Sequence, residues 1–260
     1  LSFIEIFLDI PYNNINRNKR GDQIMDNDII KDLKSSIGDY THAGAKILMS
    51  AIPFVGGGAA ELFNLVLSSP IEKRRDIWLL SIFNSLEELQ KRMNSFKIEE
   101  LVHNEIFVST MMKASQLAIR THQKEKLTAL HNAVINTALN ISIDESEQEM
   151  FLNILDSFTV WHLKIIHYFE NPNLRFIEAN ITKPNIYMGA PITPLLHYYS
   201  DLREKKDFVN IVVKELYKNN ILNIDNISGL MTEQGIYESR VTGYGRRFLQ
   251  FINVEHKDLQ

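Results

Sequence analysis

Three consecutive glycines, Gly56-Gly57-Gly58, followed by Ala59-Ala60-Glu61-Leu62, come nearest to a ligand-binding signature in this 260-residue chain. A glycine turn that opens a helix lets backbone amides approach a phosphate. Here Glu61 fills the third glycine position, where its charge and bulk oppose a pyrophosphate. Pro53 interrupts the stretch before the glycines, which also lacks the β-branched density of a buried parallel strand. The sequence therefore predicts no nucleotide cofactor. Glu100-Leu101-Val102-His103 has the Glu-x-x-His spacing of carboxylate-bridged metal bundles, but those use two such motifs plus two further glutamates. A single copy reads as a solvated helix face. His162 and His167, five apart, turn to different helix faces and read as ordinary hydrogen-bonded or exposed histidines. With no cysteine, thiol catalysis, disulfides and Cys-ligated metals fall away. There is no Gly-x-Ser-x-Gly elbow. No catalytic residue, metal site or cofactor is predicted.

Composition narrows the class further. Hydrophobic residues at 45% and charged residues at 23% are those of a globular protein, which sets aside collagen-like and disordered chains. The net charge of −4 removes the counterion-release argument for bulk nucleic-acid binding. No run reaches the ~18 apolar residues of a membrane span. The expectation is a cytoplasmic protein, with peripheral contact at the inner face of the membrane as its one alternative. Usage of 32 Ile, 23 Asn and 17 Lys against 12 Ala points to A/T-rich codons and a bacterial source. The chain opens on Leu1, and the codons allowed by Lys19-Arg20-Gly21-Asp22-Gln23 can contain a ribosome-binding site before Met25. Residues 1–24 accordingly read as a disordered, translated upstream leader.

The elements that must position any site are mostly helical. Residues 28–40 have helical spacing of Ile29, Ile30, Leu33 and Ile37. Residues 43–69 carry only Lys46 and Glu61 as charges and hold Pro53 and the glycine triplet mid-way, which predicts two short apolar helices joined by a bend. Ser69-Pro70-Ile71-Glu72 and Asp144-Glu145-Ser146-Glu147 are capping boxes. After the first, Trp78, Leu79, Ile82, Leu86, Leu89 and Met93 form one amphipathic stripe. A helix from Asn104 runs to about Leu139 with a break near Thr121. The second box opens a helix carrying Phe151, Ile154, Leu155, Phe158, Trp161, Ile165, Ile166 and Phe169, stopped at Asn171-Pro172.

Residues 25–170 thus read as a helical bundle containing the apolar hairpin 43–69. Residues 171–193, rich in proline, read as an ordered linker. In 194–260 the order is helix, helix, strand at 221–224, long turn, strand at 236–241, and a helix capped by Thr242. That is the order of a small winged-helix-like α+β module, so the fold class expected is mainly α with such a module at its end.

Two regions could carry function. Phe54, Gly56, Gly57, Gly58, Leu62 and Phe63 of the hairpin are candidates for membrane insertion, with Lys73-Arg74-Arg75 placed to meet anionic headgroups. Burial of the hairpin in the bundle core is the competing reading, and Glu61 would be costly in lipid. Arg240, Arg246 and Arg247 are candidates for contact with a partner or nucleic acid. From Arg203 onward nine basic residues face eight acidic ones, so protein contact or self-association is favoured over DNA.

The layout also resembles the Abi-alpha abortive-infection family of bacterial phage-defence proteins. The resemblance spans 43–252. It rests on the Gly/Ala-rich apolar segment, on Glu149-Met150-Phe151-Leu152-Asn153-Ile154-Leu155-Asp156, on Leu163-Lys164-Ile165-Ile166-His167-Tyr168-Phe169, and on the turn Val241-Thr242-Gly243-Tyr244-Gly245-Arg246-Arg247-Phe248. It implies a role in arresting infected cells and supplies no active-site residues. The sequence reading is therefore a non-enzymatic defence or stress effector, membrane-active if the hairpin inserts. The alternative is a soluble adaptor or transcriptional regulator.

Overall fold

The computed structural model describes residues 73–253, which fall within one compact unit, Leu65–Gln260. The leader, the helix at 28–40, the Ser69–Glu72 box and the apolar hairpin with Phe54, Gly56, Gly57, Gly58, Leu62 and Phe63 lie outside the described residues.

The first helix, α1 (Lys73–Arg92), buries Trp78, Leu79, Ile82, Leu86 and Leu89, the stripe its spacing predicts. The Gln90 side chain accepts the Ile98 amide (2.9 Å) and starts the 3-10 turn Ile98–His103. Asn104 caps α2 (Glu105–Arg120) by accepting the Phe107 amide, and the chain breaks at Thr121 before α3 (Lys124–Ala138). The break is where the polar run 120–126 predicts it. These two helices form the central hairpin, against which α1 and α4 (Glu145–Ser157) pack.

Asp144 caps α4 through the Ser146 amide (2.9 Å). The expected reciprocal bond from Glu147 is replaced, because its carboxylate turns to Arg247 instead. The single helix expected up to Asn171 is broken at Phe158 and Thr159, so that α5 (Val160–Glu170) is separate from α4; α6 (Pro172–Glu178) follows, with Asn171 ending one and capping the other through the Leu174 amide. The proline-rich 171–193 is thus partly helical, and it also supplies strand β1 (Met188–Gly189).

Beyond it stand α7 (Ile192–Tyr198), a 3-10 turn Ser200–Leu202, α8 (Lys206–Lys218), strand β2 (Met231–Thr232), α9 (Glu233–Tyr237) and α10 (Gly243–Ile252). The described residues are mainly helical, with one small antiparallel sheet among them in which Met188 pairs Thr232 and Gly189 pairs Met231. The strands expected at 221–224 and 236–241 shrink to a single antiparallel bridge, Leu222 to Val241. Ile236 lies in a helix because Thr232 accepts the Gly235 amide and starts α9.

Three helices stop in the same way. Asn140, Asn180 and Asn220 take positive φ of 52°, 52° and 56° just past α3, α6 and α8. In each case the amide of the following isoleucine reaches back to the carbonyl five residues earlier: Ile141 to Asn136, Ile181 to Phe176 and Ile221 to Leu216. This closes the helix end in a Schellman pattern.

The last helix returns to the bundle. α10 lies along α3 and α4, and Phe151 of α4 meets the rings of Tyr244, Phe248 and Phe251 at 5.0, 5.4 and 5.7 Å. Buried Asn136 on α3 donates to the carbonyls of Gln250, Phe251 and Asn253, while Asn132 donates to Ile252. Those are the orphan acceptors of a helix C-terminus, satisfied here by side chains of another helix.

Candidate functional site

The most ordered polar constellation in the described residues is built on α5. Phe158 ends the turn after α4, Thr159 is extended at the N-cap, and His162 stands three residues on. That spacing brings the imidazole Nδ1 back to the Thr159 amide at 3.1 Å and to the Thr159 hydroxyl at 2.9 Å. An amide can only donate, so Nδ1 is the accepting nitrogen and the proton sits on Nε2. Nε2 then donates to Glu215 Oε2 of α8 at 2.8 Å. The ring stacks on Phe158, with centroids 4.5 Å apart and planes 11° apart, and the residue is 2% exposed. Burial is the main cause that lowers the His162 pKa below its ordinary value; the Glu215 carboxylate opposes this and the Lys126 ammonium adds to it.

Hydroxyl, imidazole and carboxylate in a row have the connectivity of a nucleophile–base pair with an orienting acid. In this molecule the Nδ1 lone pair is already shared with the backbone of Thr159 itself. The array therefore does what a helix cap and an inter-helix clamp do. It closes the α5 N-terminus and ties α5 to α8.

Nearby, a hollow of about 350 Å³ is lined by Leu117, Arg120, His122, Gln123, Lys126 and Asp156 among others. Its charges largely answer one another: Arg120 meets both oxygens of Asp156 (3.0 and 3.1 Å), and Lys126 donates to the Asp156 carbonyl (2.9 Å). Burial lowers the Lys126 pKa, with Asp156 opposing the shift and Arg120 reinforcing it. His131, 6% exposed on α3, lies 3.1 Å from Ser85 Oγ, and burial lowers its pKa as well. No group of three or more His, Asp or Glu among the described residues could hold a metal ion. Glu100 and His103, the single Glu-x-x-His pair, sit exposed on a 3-10 turn rather than on an α-helical face, with Glu100 beside Lys97.

The three arginines singled out in the sequence go to different places. Arg240 donates to the Gly235 carbonyl and pairs with Glu238 (3.2 Å), its side chain only 14% exposed. Arg247 is held by Glu147 of α4 (2.6 Å). Arg246 is exposed and makes a long contact to its own cap, the Val241 carbonyl (3.4 Å). They form no common cationic patch.

What the sequence reading passed over is the small sheet. Tyr187, Met188 and Leu230 are 79%, 68% and 78% exposed. The register places Leu230 diagonal to Met188 on one face of the ladder. Tyr187 joins β1 to α9, its carbonyl accepting the Glu233 amide. The available signal was Ile186-Tyr187-Met188, a short apolar run between Pro184 and Pro191 in a segment otherwise read as connection.

The chain matches no protein-family model, no curated protein and no solved structure. Among the described residues no helix is long and apolar enough to cross a membrane.

Proposed function

We propose that this chain is a bacterial defence or stress effector that works by protein contact, not by catalysis. The defence role rests on the Abi-alpha resemblance. The contact role rests on one observation: three large apolar side chains, Tyr187, Met188 and Leu230, stand in water at the end of the small sheet. Apolar groups gathered on a surface mark interaction sites far more often than apolar groups scattered singly. Tyrosine and methionine are also favoured residues at interface centres. The C-terminal order α7, α8, Leu222, excursion, Val241, α10 is read as a winged-helix-like module whose excursion carries Leu230 and β2, with Met188 paired to it through β1. The partner is a protein rather than DNA, since Arg240 and Arg247 are spent on acceptors within the chain. Membrane activity of 43–69 is a second element of the proposal, carried by the composition of that segment alone.

A photo-crosslinking residue placed at Tyr187 in phage-challenged cells tests the contact. The expected result is a discrete protein adduct that disappears when Met188→Ser and Leu230→Ser are added. The same residue placed at Glu149, an exposed site on α4, should give no such adduct. Lipid adducts at Tyr187, or equal protein adducts at both sites, would overturn it.

A further inference from the structure

We propose that Thr159, His162 and Glu215 form an acid-released latch that holds α8 against α5. This goes beyond the contact role and stands on separate residues. Three geometric facts carry it. The imidazole is buried where two helices meet, 2% exposed. Its Nε2 is hydrogen-bonded to Glu215 across those helices, at 2.8 Å. And its second nitrogen faces the backbone N–H of Thr159, a donor that cannot reverse its role.

Neutral imidazole satisfies both ends at once. A proton on Nδ1 sets N–H against N–H, breaks the cap on α5, and leaves a charge stacked under Phe158. The Thr159 hydroxyl can turn to accept that proton, and Glu215 favours the cation, so release is graded. α8 presents Glu215, and α3 presents Lys126, whose charge opposes protonation. Glu125 of α3 pairs instead with Lys164 (3.3 Å), and Arg175 and Glu178 of α6 act on His167.

The sign follows from the lowered pKa. The unfolded or released ring takes a proton at the ordinary value of 6.5, and the latched ring takes it only at lower pH. The latch is therefore at full strength above that value and weakens as pH falls below it.

Hydrogen exchange of the full chain, read at the α8 amides and corrected for intrinsic chemistry, tests the latch between pH 7.5 and 5. Exchange should accelerate on acidification, approaching about tenfold per unit between the ordinary and latched pKa. His162→Gln keeps a capping partner at the third helical position and does not titrate, so its α8 exchange should be flat with pH. Glu215→Gln removes the support for the cation, so the acceleration should begin at the same pH and continue to lower pH before levelling off. Ring ¹⁵N shifts of the unaltered chain give a readout independent of any variant: a neutral, Nε2-protonated ring at pH 7 that titrates below 6.5. A flat profile in the unaltered chain, an equal response in His162→Gln, or a charged ring at pH 7 would each overturn the proposal.

Discussion

Gly245 is the residue where the last turn of the fold depends on the lack of a side chain. It is the third residue of α10, its amide held by the Thr242 hydroxyl at 2.8 Å. A Cβ there would run into the Ile221 carbonyl and come within 2.8 Å of a Val241 methyl. Alanine at a helix position normally gains up to ~1 kcal/mol over glycine. Here the clash is with backbone, which cannot give way as a flexible side chain would, so Gly245→Ala should lower stability by about 1–3 kcal/mol in urea unfolding. Asn136 is the matching polar residue. Its amide nitrogen serves three carbonyls at the end of α10 while 4% exposed. Asn136→Ala strands those acceptors and should cost about 2–3 kcal/mol, read as a fall in the urea midpoint without a change in slope. Neither residue stands out in the sequence, because both derive their importance from a partner more than twenty positions away.

Among elements, the helix boundaries obey short-range chemistry and were largely visible. Asn104, Asp144 and Thr242 each cap where sequence reading puts a cap, and the break at Thr121 falls between two apolar runs. The errors have a common cause. Thr232-x-x-Gly235 repeats the cap of Thr242-x-x-Gly245, yet the span 236–241 reads as a strand, and local capping won. The pairing of Met188 with Thr232 spans some forty residues, and a two-residue strand has no period to detect. The Asn-Ile stops after α3, α6 and α8 are legible once seen, since asparagine is the usual substitute for glycine in the left-handed region. They make a sharp prediction. Asn220→Gly should stabilise by up to ~1 kcal/mol, and Asn220→Ala should destabilise by about 1 kcal/mol. Opposite shifts in melting temperature of the two variants are the check.

Over the whole molecule, the described residues make one helical body in which the final helix closes back onto α3 and α4 through Phe248, Phe251 and Arg247. The sequence offered the arginines as candidates for contact with a partner or nucleic acid. In the structure Arg240 is held by the Gly235 carbonyl and Arg247, though exposed, by Glu147, pairings that no local pattern announces. The exposed tip was missed for the opposite reason. Apolar residues read as core unless the fold is known, and only burial reveals that Tyr187, Met188 and Leu230 are left in water. All three are mostly exposed, so on their replacement by serine the melting temperature should stay within a few degrees of the original. Function and folding are thereby separable.

Efficiency of phage plating on bacteria expressing the full chain, against the same cells expressing Tyr187→Ser, Met188→Ser and Leu230→Ser together, tests the account most directly. The unaltered chain should depress plating clearly below that on cells lacking the chain. The triple variant, folded to the same degree by circular dichroism, should restore plating to the level of cells lacking the chain. No depression by the unaltered chain, or undiminished protection by the variant, would contradict it.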